Sequence, residues 1–302
     1  MTSLVTSEAS TRTTRSAWNR IADLLTRHGL KHHRLSSRQA HALEPALSPR
    51  ARCALDIPGD TSVDNRMVVR ALLTAADRAG VRFHRQRVGV VIADGRAVGV
   101  RRVDGGQSDL PPASVHQADL VLLAAGAGSA QVPGLPDDPR SPVRPVKGQI
   151  LRLGGSAGLL GRTVRATVHG AHVHLVPRSH DELVVGATSE EVGADLTVTA
   201  GAVHQLLRTA IEVVPEVAEL DLVEALTRCR PGTPDNGPLI GPSSLPGLLV
   251  TTGHFRSGVL LAPATSDAIH RLVLDLPVPG VVEASAPQRF SRSARDVTKG
   301  IG

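Results

Sequence analysis

Near the C-terminus one corner restricts the fold more than any other segment. Arg230-Pro231-Gly232-Thr233-Pro234-Asp235-Asn236 leads into Leu239-Ile240-Gly241-Pro242. An apolar run, Leu248-Leu249-Val250, then enters Thr252-Gly253-His254-Phe255-Arg256-Ser257-Gly258-Val259-Leu260-Leu261. A strand that turns through glycine straight into a helix gathers free backbone N–H groups and the positive end of the helix dipole at one point. Such a point suits an anion or an electron-rich ring. Arg230 and Arg256 bracket the corner, and a guanidinium grips a carboxylate with two parallel hydrogen bonds.

The rest of the chain alternates between helical and strand-like patterns. Helices are expected at 18–29, 36–44 and 64–80. In the last of these Asp64 caps, Val68, Leu72, Leu73 and Ala76 line one face, and Gly80 stops the helix. Strands are expected at 81–83, 88–93 and 97–103, with Asp94-Gly95 as a hairpin turn. The run Leu120-Val121-Leu122-Leu123-Ala124-Ala125 is continuously apolar, the pattern of a strand buried on both faces. It ends in Gly126-Ala127-Gly128-Ser129, small residues that let a backbone approach a ligand closely. Residues 133–145 read as a connector. Antiparallel-type segments follow at 149–153, 163–168, 172–177 and 182–186. A helix at 200–213, a strand at 220–226 and a helix at 259–274 complete the pattern, and the tail after Pro279 reads as loose.

Composition excludes several classes. A chain of 302 residues suits one large domain or two intertwined ones. No run of eighteen apolar residues is present, so no transmembrane helix is expected. The first fifteen residues are rich in Ser, Thr and Arg and lack an apolar core, so they are not a secretory signal. Residues 1–16 read as a disordered or misassigned start. The formal charge is +6, yet there is no Tyr, one Trp and three Phe, so stacking platforms for nucleic acid are nearly lacking. Cys53 and Cys229 stand far apart, which fits a reducing cytoplasmic setting and argues against a disulfide framework. His172 and His174 share a strand face, but no third ligand stands at metal spacing, and no metal is expected.

These segments together resemble the flavin-dependent amino-acid oxidase superfamily that includes D-amino-acid oxidase, sarcosine oxidase and glycine oxidase. Within it the chain is most similar to glycine oxidase of the thiamin-biosynthesis type. The resemblance is carried by Asp60-Thr61-Ser62-Val63-Asp64-Asn65-Arg66, Leu122 to Ser129, Arg144-Pro145-Val146-Lys147-Gly148-Gln149 and Leu175-Val176-Pro177-Arg178. Glu182 to Thr188, Arg230-Pro231-Gly232-Thr233 and Gly253-His254-Phe255-Arg256 add to it, and it runs from about residue 30 to 275. It implies a mixed α/β (α+β) fold, with a partial FAD-binding Rossmann-like domain and an antiparallel-sheet substrate domain. The expected division is 17–143 and 229–276 for the first, 144–228 for the second and 277–302 for a loose tail.

The implied activity is FAD-dependent oxidative deamination of glycine or a related small amino acid. Oxygen is the second substrate, no nucleic-acid or membrane partner is implied, and a homo-oligomer is left open. Arg230 would anchor the substrate carboxylate, with His174 assisting and Arg256 orienting the substrate. Val88, Gly126, Gly253, Gly258, Val259 and Leu260 would contact the cofactor, the last three through amides at the helix start. The chain departs from the family in two places. Members open with a strand, a Gly-x-Gly-x-x-Gly turn and a helix that hold the FAD pyrophosphate. Here the interior pair Gly126/Gly128 is followed by Gln131, and the fingerprint is absent from this sequence. The first βαβ unit is therefore expected to be missing, and a remnant unable to bind FAD alone is the alternative. Secondly, the family's substrate-binding tyrosine is His174 here.

Overall fold

The computed structural model describes residues 3–7, 12–103, 115–135 and 142–290. Strand β1 (Ser3–Ser7), helix α1 (Arg12–Arg27), β2 (His33–Ser36), α2 (Ser37–Leu43), β3 (Cys53–Ile57) and α3 (Asn65–Arg78) come first. Four strands follow: β4 (Val88–Ala93), β5 (Arg96–Arg102), β6 (Val115–Gln117) and β7 (Val121–Leu123). Then come β8 (Arg144–Gly154), β9 (Thr163–Val168), β10 (Ala171–Arg178), β11 (Glu182–Gly186), α4 (Ala200–Val213) and β12 (Asp221–Gly232). Strands β13 (Leu239–Pro242) and β14 (Leu248–Thr252) and helices α5 (Gly258–Val273) and α6 (Gly280–Glu283) complete the order. The mixed α/β class expected from the sequence is the class observed.

Two compact units divide the chain: residues 1–72, 147–190 and 196–228 form the first, and 73–146, 191–195 and 229–302 the second. The first is built on an eight-stranded sheet in the order β12-β8-β11-β10-β9-β1-β3-β2. Along β10 and β11 the residues Val173, Leu175, Leu183 and Val185 point to one face and are buried. Helix α4 closes that face with Leu206, Ala210 and Val213. Each such side chain contributes about 1.5–3 kcal/mol when fully buried. Thr199 caps α4 by accepting from the Ala202 amide. His172 and His174 alternate with the core residues and lie exposed on the opposite face.

The second unit carries two small sheets, β13-β14-β7 and β4-β5-β6. In the first, β14 runs parallel to β7 and antiparallel to β13. Val90, Leu123, Leu239, Leu248 and Val250 form its core. Asp94 and Gly95 both take positive φ, 47° and 71°, and close the β4–β5 hairpin as their residue types require.

The structure departs from the sequence reading at several points. Residues 3–7 of the segment read as a disordered start form β1 inside the large sheet, parallel to β9 and antiparallel to β3, with Leu4 fully buried. Because β1, β2 and β3 continue that sheet, residues 1–72 group with 147–190 and 196–228, not with 73–146 as the expected division placed them. No strand forms at 81–83: the Val81 amide donates to Ala76 and closes the C-terminus of α3 beyond Gly80, whose φ is +82°. On the expected inner face of α3, Leu72 and Leu73 are exposed and Val68 and Ala76 half-buried, and no residue of the helix is buried. Leu122 is 44% exposed rather than buried on both faces, because β7 pairs with β14 on one side and ends its sheet. Residues 280–290 are packed, not loose: Val282 joins Ile240 and Ala268, and the Ile240 amide donates to Ser285. The remaining tail, the centre of the Pro-rich connector and residues 8–11 lie outside the described residues.

Candidate active site

The corner between β14 and α5 sits in the second unit. Thr252 ends β14 and is buried. Gly253 takes φ +74°, where an L side chain is strained. A β-carbon there would also lie 2.6 Å from the Thr233 methyl. Thr233 is itself fixed: its hydroxyl lies 2.7 Å from the Gly237 carbonyl and 2.9 Å from the Asp235 carboxylate. The Phe255 amide donates to the Pro231 carbonyl at 3.0 Å, tying the corner to the end of β12. Arg230 and Arg256 are thereby brought into one neighbourhood of one unit.

These arginines are neighbouring like charges. Burial pushes the Arg230 guanidinium below its ordinary value, and the nearby charge of Arg256 pushes it further the same way. Arg256 is exposed and lies 5.3 Å over the Phe255 ring. A carboxylate placed between two such cations relieves their repulsion and accepts charge-assisted hydrogen bonds.

Helix α5 starts at Gly258, and the side chain of its N-cap residue, Ser257, makes no capping bond. The amides of Gly258, Val259 and Leu260 belong to the first turn and have no acceptor within the helix. Val259 and Leu260 are exposed, Leu260 at 81%. Gly126 is held beside the end of β14 by three hydroxyl contacts. Ser129 and Thr252 lie 3.0 Å apart, and their hydroxyls reach the Gly126 carbonyl at 2.8 Å and 3.0 Å. Gly126 has φ +55°, and the space its β-carbon would occupy is open. Val88 stands apart, half-buried at the start of β4 opposite Arg102. The adjoining Val90 amide donates to Pro133 at 2.8 Å in the loop that follows the Gly126 turn. His174 belongs to the first unit, on the sheet face away from α4, opposite Arg165 and Gly186.

The sequence reading did not find several supports of this corner. Arg289 donates to both Asp235 oxygens at 3.1 Å and to the Gly237 carbonyl at 3.0 Å. These bonds, with those of the Gly237 amide and Thr233, hold the Asp235 carboxyl down at about 2. Arg289 lies in the segment read as loose, so no local signal pointed to it. Ser129 and Thr252 are far apart in sequence and were likewise silent. His254 was read only as part of a motif, although its Nε2 lies 3.0 Å from the Thr265 hydroxyl. Among the described residues no cluster of His, Cys, Asp or Glu could hold a metal. No helix among them is long and apolar enough to cross a membrane.

The profile described as FAD dependent oxidoreductase matches residues 3–272, and the chain belongs to that family. It is 36% identical over 236 residues to the Bifunctional protein ThiO/ThiG of Synechocystis sp., covering 77% of this chain and 34% of that one. It is 35% identical over 233 residues to the Glycine oxidase of Pseudomonas putida, covering 75% of this chain and 59% of that one. The crystal structure of glycine oxidase from Geobacillus kaustophilus superposes with a TM-score of 0.79 at 27% identity, over 92% of this chain and 71% of that one. The chain thus spans between 34% and 59% of the length of these two curated relatives. The open amides of α5, the open space at Gly126 and the exposed Val259 and Leu260 fit the FAD that the family carries.

Proposed function

We propose that the chain carries the substrate-gripping and flavin-facing part of an amino-acid oxidase acting on glycine or a related small amino acid. The reaction removes two electrons and two protons from the amino acid to give an imine. Water hydrolyses the imine to a 2-oxo acid and ammonia, and oxygen takes the electrons as hydrogen peroxide. Bound FAD supplies the two-electron acceptor. Arg230 grips the substrate carboxylate, and Arg256 provides the second positive charge. His174, exposed on β10 of the first unit, stands at the family's tyrosine position, and its ring can donate one hydrogen bond to a carboxylate. The amides of Gly258, Val259 and Leu260 would hold the flavin by offering donors to its electron-rich ring system. Gly126 and Gly253 allow close backbone approach, and Val88 serves the adenine end through its backbone.

The observation that carries this reading is the pairing of Arg230 with Arg256: two neighbouring cations, the first half-buried and pushed below its ordinary value by burial and by the charge of Arg256. That Cys53 and Cys229 are not joined in a disulfide agrees with a reducing, cytoplasmic setting. The test is the visible spectrum of the purified 302-residue chain after mixing with FAD and desalting. Retained flavin bands that bleach on anaerobic addition of glycine support the proposal. A colourless protein, or bands that no small amino acid bleaches, overturns it for this chain.

A further inference from the structure

Helix α5 runs unbroken from Gly258 to Val273 but carries Pro263 inside it, just after its first turn. Proline has no amide hydrogen, so the carbonyl of Val259, four residues earlier, loses its helical donor, and the ring crowds that carbonyl. Helices bend or loosen at such points. The first turn is the part whose amides the proposed flavin site uses. Its N-cap, Ser257, adds no side-chain bond. Ordinary helix bonding and capping therefore fix its direction poorly.

One side chain spans the proline. His254 precedes the first turn, and its Nε2 lies 3.0 Å from the Oγ1 of Thr265, which follows Pro263. The base of the side chain adjoins the helix start: a β-carbon on Gly258 would stand 3.7 Å from that of His254. Burial pushes the His254 imidazole below its ordinary value, which keeps it neutral near pH 7. A neutral ring can donate to the Thr265 hydroxyl or accept from it.

We propose that His254 is a positioning residue: its bond to Thr265 straps the first turn of α5 across Pro263 and fixes the direction of the Gly258, Val259 and Leu260 amides. The consequence for flavin rests on the function proposed above; the strap itself does not. The experiment uses the full chain and its H254L, H254Q, T265V, T265S and H254L/T265V variants. Hydrogen exchange followed by mass spectrometry reads the peptide covering residues 255–266. H254L and T265V should each quicken exchange there by about tenfold, the double variant no more than the faster single one, and H254Q and T265S should stay near wild type. Unchanged exchange in both H254L and T265V would overturn the strap. With FAD added, the dissociation constant of the flavin–sulfite complex reads the positive field at the ring. It should rise about tenfold in H254L and return in H254Q. Quickened exchange with unchanged sulfite affinity would overturn the positioning role. A chain that takes up no FAD yet shows the exchange pattern would defeat the flavin reading and support the strap.

Discussion

Gly253 and Thr233 lie so close that a β-carbon on the glycine would sit 2.6 Å from the threonine methyl. The glycine also has φ +74°. Two separate costs therefore meet at one position. Gly253→Ala should destabilise the chain by about 2–4 kcal/mol, from left-handed strain and overpacking together. Thr233→Ser removes the opposing methyl, so the double variant G253A/T233S should recover the steric part and keep about 1 kcal/mol of backbone strain. Urea denaturation of the four proteins checks this, and additive losses would contradict it.

Arg230 should tolerate neither neutralisation nor replacement by lysine. Lysine keeps the charge but offers a point donor in place of a planar fork. In an FAD-loaded, active preparation, Arg230→Lys should raise KM for glycine by about tenfold, and Arg230→Met should lower kcat/KM by about a hundredfold. Steady-state oxygen uptake at varied glycine reads both. Equal, small effects of the two replacements would show that Arg230 does not hold the carboxylate.

Asp235 links the loop before β13 to Arg289 beyond α6. Its carboxyl is held at about 2 in the folded chain, chiefly by the hydrogen bonds from Arg289, against an ordinary value of 3.8. The folded state thus binds its proton less readily than the unfolded state. The stabilisation is fully present above pH 4 and is lost as pH falls from about 4 to 2. Half of this side chain is exposed, 50% by area, so solvent screening limits the effect to roughly 1 kcal/mol. Asp235→Asn should be less stable than wild type at pH 6 and nearly equal to it at pH 2.5. A difference that persists unchanged at low pH would remove the ion pair as its cause.

Arg152 is buried on β8 and bonds to Glu182, with Glu224 3.6 Å from its Nε. Removing one partner of a buried pair strands the other charge. Glu182→Ala should cost about 2–4 kcal/mol, and the double change R152M/E182L should restore most of it. Thermal melts of the single and double variants decide the point. A double variant as unstable as the single would mean that the pair itself stabilises the sheet.

Much of the fold was legible because its signals are local. The short apolar runs of β9 and β11 and the period of α4 set their boundaries without outside help. Asp94-Gly95 needed only its own turn chemistry. Burial was less legible where it depends on distant partners. Leu122 looks like a core residue until β7 is seen at a sheet edge, and Val81 looks like a strand residue until its amide closes α3. The site divides the same way. Arg230, Arg256 and the glycines stand in recognisable motifs. Their supports, Arg289, Ser129 and Thr265, are ordinary residues made important only by where the chain returns.

Helix α3 turns that distinction into a measurement. Its apolar positions repeat as on a buried face, yet Leu72 is 61% exposed and no residue of the helix is buried. Asp64 still caps it, accepting from the Arg66 and Met67 amides at 2.8 Å and 3.1 Å. A side chain that already meets water contributes little transfer energy, so polar replacement at Met67, Val69 and Leu72 should change stability by less than about 0.5 kcal/mol each. Glutamine suits these positions because it keeps helix propensity. The triple variant should melt within a few degrees of wild type and bind less of the hydrophobic dye ANS at equal concentration. A loss of several kcal/mol would mean that another surface covers this face in solution, and sedimentation of the wild-type chain would then show an assembly that the triple variant lacks.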